Sequence, residues 1–144
     1  CASMKKQGED FSRNPFMGRY LRIHPKRRNR DKAICGHILG EISEVRKFLG
    51  EKKEDDCLAT TLLQKATVMS LLNIGERSKT VSDEFLDATP WMPWEDIRST
   101  RNLAAHTYAA LDMRDVWETW RVDLPELERQ MHAAVEKLEQ GILS

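Results

Sequence analysis

The sequence predicts an all-α fold, an up-and-down bundle of four to five helices, on three observations. Apolar residues recur at spacings of three and four along several stretches, which is the period of a helix and not the alternation of a strand. The 144 residues are rich in Leu, Glu, Lys, Arg and Ala and hold only 7 Gly and 5 Pro, a helix-forming composition poor in turn residues. No internal repeat or period-two run interrupts the pattern, so helix packed on helix is the architecture left.

Each element follows from its own stretch. From Asp31 to about Gly50, DKAICGHILGEISEVRKFLG sets Ile34, Ile38, Ile42, Val45 and Leu49 on one face, with Asp31 as the N-cap and Gly50 as the stop. After the polar EKKEDD, a second helix is expected from about Asp56 towards Ile74. Leu58, Leu62, Leu63, Ala66, Met69 and Leu72 form its apolar side, and Gly75 is its stop. SDEFLDATP reads as a short helical turn opened by Ser82 and closed before Pro90. The next helix runs from about Pro93 towards His106, because Pro93 suits a first turn and Glu95 and Asp96 favour a helix N-terminus. Asp112 caps a further helix in MRDVWETWRV. Asp123 with Pro125 opens the last, LPELERQMHAAVEKLEQ, which is expected to end at Gly141.

The length suits one domain with a sizeable core, assigned to residues 30–144. Residues 1–29 read as a basic extension, disordered or partly foreign to the native chain, with Met4 taken as the native start. No apolar run approaches the roughly 20 residues of a membrane span, and the basic N-terminus has no apolar segment behind it to make a secretory signal. Cys1, Cys35 and Cys57 are odd in number and unpaired in spacing, so neither a disulfide framework nor a zinc site is expected, and the compartment is read as reducing, hence cytoplasmic.

The net charge of zero conceals an asymmetry. Residues 1–30 carry Lys5, Lys6, Arg13, Arg19, Arg22, Lys26, Arg27, Arg28 and Arg30 against Glu9 and Asp10, so the remainder is acidic by the same amount. A basic arm on an acidic body attracts nucleic acid, or is simply a solvated lead-in.

The chemistry-bearing stretch is RNLAAHTY, residues 101–108. Helical phase, at about 100° per residue, puts Arg101 and Tyr108 within about 20° of each other and His106 about 140° from Arg101. For Arg101 and His106 to act on one substrate, either the helix distorts near its end or two protomers contribute. Spacing alone favours a structural reading: His106 satisfying the last carbonyls, Arg101 pairing with Glu76 or Asp96, Tyr108 packing its ring with a wet hydroxyl. His24, His37 and His132 are isolated, Trp91, Trp94, Trp117 and Trp120 read as packing at the ends of the bundle, and Cys35 and Cys57 as buried small apolars. No Gly-rich phosphate loop, metal-ligand set or Ser/His/Asp arrangement stands out.

RNLAAHTY fits R-x-x-x-x-H-x-Y and resembles the signature of the HEPN superfamily, specifically of its HepT-like toxins. NIGE at 73–76, PWEDIRSTRN before and into the motif, and DVWETWRVDLPELERQM after it resemble the same family in the same order, so the likeness spans roughly residues 30 to 140. The resemblance implies an all-helical homodimer that acts as a metal-independent ribonuclease without cofactor. Its expected partners are an RNA substrate, tRNA included, and a cognate minimal nucleotidyltransferase antitoxin. It implies Arg101 and His106 as the catalytic pair, Asn102 and Glu76 as supporting residues with Glu76 orienting Arg101, and Tyr108 as the position to which the antitoxin attaches AMP. A different class of function on the same fold is a non-catalytic helical module that partners a nucleotidyltransferase; a bundle with a degenerate motif is a third.

The implied chemistry needs no metal. RNA carries its own nucleophile, the 2′-hydroxyl; an imidazole with an ordinary pKa of about 6.5 moves protons near neutral pH; and a permanently charged guanidinium stabilises the phosphorane-like transition state. The acidic body is the tension, since it repels a polyanion.

Overall fold

The computed structural model describes residue 19, residues 25–106 and residues 112–143, apart from the side chains of residues 25, 102–106 and 140–143. Its elements are α1 (Pro25–Leu49), α2 (Glu54–Ala59), α3 (Thr61–Ser78), α4 (Asp83–Ala88), α5 (Trp94–His106), α6 (Met113–Glu118), a π turn (Thr119–Asp123) and α7 (Leu124–Leu143). No strand occurs among the described residues. The packing is that of an all-α bundle: α3 lies between α1 and α5, and α1 also packs on α7.

Helix α1 buries Ile34, Ile38, Ile42, Val45 and Leu49, the face its periodicity marks. It closes at Gly50, whose φ of 48° is left-handed backbone that costs a glycine little and whose N–H donates to the Arg46 carbonyl at 2.9 Å. Its start departs from expectation. The helix begins at Pro25, so Lys26, Arg27, Arg28 and Arg30 belong to the bundle, and Asp31 sits inside the helix instead of capping it. Asp31 is fully buried and accepts hydrogen bonds from the Ser82 backbone N–H at 2.9 Å and the Ser82 hydroxyl at 2.7 Å. Ser82 in turn caps α4 by accepting from the Phe85 N–H at 3.2 Å. The residue whose type suggests a local cap spends its carboxylate fifty-one positions away.

The second expected helix is two. Lys53 N–H donates to the Asp56 carboxylate, starting α2 at Glu54. Thr60 then takes an extended conformation and breaks the run. Gln64 covers carbonyls freed by the break, its amide donating to Leu58 at 2.7 Å. With that break the buried stripe of α3 is Thr67, Val68, Leu71, Ile74, Gly75 and Ser78. The apolar side expected from periodicity is corrected accordingly: Leu62 is 76% exposed and Met69 56% exposed. Gly75 does not stop the helix, which continues to Ser78.

Between α4 and α5 the Thr89 hydroxyl donates to the Phe85 carbonyl and accepts from Trp94 Nε1, both at 2.8 Å, while the Phe85 and Trp94 rings meet edge to face. This knot fixes where α5 starts. Asp112 caps α6 as its type predicts, accepting from the Arg114 N–H at 2.9 Å. Asp123 opens no new helix. The Leu124 N–H reaches back to the Thr119 carbonyl, a π-type bond that carries the chain into α7 without interruption, and α7 passes through Gly141 to Leu143. Trp94 and Trp120 are buried in the common core; Trp91 and Trp117 pack against it.

Candidate functional site

The site is built where α5 crosses α3, and small residues bring the two backbones together. A Cβ added at Gly75 would lie 2.7 Å from Arg101 Cβ, 2.8 Å from Arg101 N and 3.0 Å from Thr100 Oγ1. Only a glycine admits so close an approach. The Thr100 hydroxyl, 3.2 Å from the Leu71 carbonyl and 2.7 Å from that of Ile97, ties the crossing with a side-chain donor, and Ser78 turns its hydroxyl inward onto the Gly75 carbonyl at 2.7 Å.

That contact sets the register of the charged groups. Arg101 Nε pairs with Glu76 Oε1, and both side chains are part-exposed at the edge of the crossing. One helical turn earlier on α5, Arg98 Nε lies 3.4 Å from the Ser78 carbonyl. A partly exposed ion pair contributes about 0–1 kcal/mol to stability. Its consequence here is orientation: a carboxylate on one edge of a guanidinium fixes the plane in which its remaining donors point.

Of the residues assigned from sequence, Arg101 and Glu76 are thus brought together. The backbone of α5 includes Asn102 and His106, and the side chains of both lie outside the described residues, as does Tyr108 altogether. The helix continues to His106, so the positions of Arg101 and His106 stay about 140° apart in helical phase.

What lies around the pair narrows the chemistry. The Cys35 thiol is fully buried, and burial, reinforced by the charge of Asp31, pushes its pKa up to about 12. Burial also raises Cys57. Neither offers a thiolate near neutral pH. Among the described residues no group of three or more His, Cys, Asp or Glu could hold a metal, and no helix is long and apolar enough to cross a membrane. A cleft of about 230 Å³ adjoins the crossing, lined by Leu71, Ile74, Ile97, Leu124 and Leu127 with Thr100 at its edge. Its apolar floor does not suit a phosphodiester; the Arg101 guanidinium does.

Sequence reasoning missed Gly75 as part of the site and read it as a helix stop. The signal that could have found it is the pair Gly75 and Ser78, small residues three apart on a helix otherwise rich in Leu.

Comparison with known proteins places the chain in a family. The family model described as Ribonuclease HepT-like matches residues 38–134, which contain α3, α5 and the whole Arg101–Tyr108 motif. A protein of Caldanaerobacter subterraneus subsp. tengcongensis, provisionally named an RNase, is 32% identical over 70% of this chain and 90% of its own length. A protein of Thermococcus cleftensis provisionally named ribonuclease HepT is 31% identical over 63% of this chain and 83% of its own. A longer protein of Methanocaldococcus jannaschii, named a gamma-glutamylcyclotransferase and, provisionally, an RNase, is 28% identical over 76% of this chain, which spans half of that relative's length. No solved structure matches the chain. With more than half of its length matched by the family model, the chain belongs to the HepT-like ribonuclease family.

Proposed function

We propose that the chain is the toxin of a toxin–antitoxin pair, an endoribonuclease that cleaves RNA without a metal. The 2′-oxygen attacks the adjacent phosphorus, giving up its proton to His106 as general base. A 2′-O–P bond forms and the P–O5′ bond breaks, with a proton delivered to the departing 5′-oxygen, leaving a 2′,3′-cyclic phosphate and a 5′-hydroxyl. Arg101 holds the phosphate and stabilises the charge that builds on its oxygens. Glu76 orients Arg101, and Asn102 serves as a further polar contact in the same site.

The observation that supports the reading is the ion pair between Glu76 and Arg101, the first residue of the family motif. The wide phase angle between Arg101 and His106 on an unbroken α5 favours a homodimer in which two motifs share one groove. The cognate minimal nucleotidyltransferase is the antitoxin. AMP attached to Tyr108 adds bulk and negative charge to the motif that supplies Arg101, so it competes with the RNA phosphate.

The test is growth and total RNA after induced expression of this chain, of His106→Ala and of Arg101→Ala. Growth arrest with fragmented RNA is expected from the unmodified chain alone, with fragments ending in cyclic phosphates. Intact RNA and equal growth in all three, from folded protein unmodified at Tyr108, would instead favour a non-catalytic partner of the nucleotidyltransferase.

A further inference from the structure

An acidic body is a poor host for a polyanion, yet the charges of this fold are not spread evenly. Three sequence segments converge on the C-terminal end of α3. Arg101 packs on Gly75 and pairs with Glu76. Arg98 lies against the Ser78 carbonyl, and Arg30, from the first turns of α1, points Nη2 at the Thr80 carbonyl from 3.4 Å. Lys79 lies between those two anchor points, exposed, three positions beyond Glu76 and so towards the same side of the helix. The order along the end of α3 and the two residues after it is Arg101 at 75–76, Arg98 at 78, Lys79, and Arg30 at 80.

Resting on the ribonuclease reading above, we propose that Arg98, Lys79 and Arg30 form a basic track that leads away from Arg101 over the end of α3. It holds the phosphates of single-stranded RNA next to the scissile one. Carboxylates on the same segments do not cancel it: Glu76 and Glu84 are engaged by Arg101 and Arg27. The exposed Asp83, Glu95 and Asp96 sit in the first turns of α4 and α5, where the helix dipole accounts for them, and Asp87 is exposed at the other end of α4. Contact with main-chain carbonyls holds the Arg98 and Arg30 guanidinium groups in place, so less side-chain freedom is lost when a phosphate arrives. A helix end that merely wanted cations near its carbonyls would be served by any one of these groups. Three, drawn from α1, α5 and the residue that closes α3, gather at the helix end beside Arg101 and make a path. Arg30, from the basic N-terminal segment, is thereby folded against the end of α3.

The test uses the full chain with Lys79, Arg98 and Arg30 changed together to Gln, beside a control with Lys47, Lys52 and Lys53 changed to Gln. Those lysines are exposed at the far end of α1 and in the connection after it. Binding of a 12-nucleotide single-stranded RNA of mixed sequence is measured against KCl in the His106→Ala background, and cleavage of the same RNA in the otherwise unchanged chain. The track variant should bind about 10- to 100-fold more weakly at 0.1 M salt. Its log–log salt slope should fall by roughly 0.7 per lost phosphate contact, about 2 in all. KM should rise more than kcat falls, and the control should change binding by less than about threefold. Equal losses in both variants, or an unchanged slope in a folded track variant, would overturn the track. If the unmodified chain leaves the RNA intact while the track variant still loses binding, the ribonuclease reading fails and the track stands.

Discussion

Gly75 and Arg101 are in van der Waals contact at the crossing of α3 and α5, so that a methyl group on Gly75 would sit 2.7 Å from Arg101 Cβ and 2.8 Å from its backbone nitrogen. Mid-helix, replacing glycine by alanine would ordinarily stabilise by about 0.5–1 kcal/mol. Here the neighbours are backbone and Cβ, which cannot swing aside. Gly75→Ala should therefore destabilise by about 1–3 kcal/mol, the cost of forcing an extra carbon into a packed contact. It should also depress RNA cleavage by displacing Arg101. A thermal or urea melt beside a cleavage assay checks both, and a raised melting temperature would show that the contact is looser than described.

Glu76→Gln separates orientation from stability. The pair is part-exposed, so unfolding free energy should move by less than about 1 kcal/mol. In the cleavage assay, the RNA phosphate no longer competes with a carboxylate for Arg101, so KM should fall. The guanidinium is also less tightly held, so kcat should fall about tenfold. Steady-state kinetics decides it; unchanged KM and kcat would remove Glu76 from the site.

Which parts of this could be read from sequence follows from the range of the interactions involved. Ser82 and Asp112 cap α4 and α6 as their residue types indicate, because a cap is satisfied within three residues of itself. The face of α1 is set by its own periodicity, and the motif on α5 by its residue order. Asp31 was misassigned because its acceptors serve Ser82, which only the folded chain brings near. The buried side of α3 was misassigned for a related reason: Leu62 and Met69 are apolar, but α5 packs onto Gly75 and Ser78, whose smallness, not hydrophobicity, decides the contact. The pairing of Arg101 with Glu76 is expected from the sequence and is present, whereas the close approach at Gly75 that permits it is not visible there.

Asp31→Ala should be among the more damaging single changes in the bundle. It leaves the Ser82 N–H and hydroxyl without their acceptor at a half-buried position, and removes the tie between α1 and the start of α4. Loss of two hydrogen bonds to a charged acceptor should cost about 2–5 kcal/mol. Asp31→Asn keeps one carbonyl acceptor and should lose less. Denaturant titration of both would show it, and equal, sub-kilocalorie losses would mean the pair is dispensable.

Alkaline pH should weaken the fold through Cys35. Its pKa is pushed up to about 12 in the folded protein, so the folded state holds a proton that the unfolded thiol, with a pKa near about 8.5, gives up. The unfolded chain binds fewer protons across that interval. The stabilisation is therefore complete below the unfolded value and declines as pH rises towards the folded one. Cys35→Ala, compared at pH 7 and pH 10, should lose less on going alkaline than the unmodified chain. The native thiol should also react slowly with iodoacetamide at pH 8; rapid alkylation of folded protein would contradict the burial.

The π turn between α6 and α7 has a consequence for how the C-terminal third keeps time. Val116, Trp120 and Leu124 are buried at intervals of four and four, and an α-helix would rotate the third of them about 80° out of line with the first. The wider turn absorbs that slip, and it also gives Pro125, which has no N–H for the Arg121 carbonyl, a place where that bond is not required. Thr119–Asp123 works as a vernier holding one residue more than the helical gear needs, and Val122, 61% exposed, is the tooth that touches nothing essential. A chain lacking Val122 should close the turn into ordinary α-helix and keep Trp120 and Leu124 on the core, its circular dichroism unchanged. Removing one residue from α1, which has no such slack, should throw half of its buried face into water.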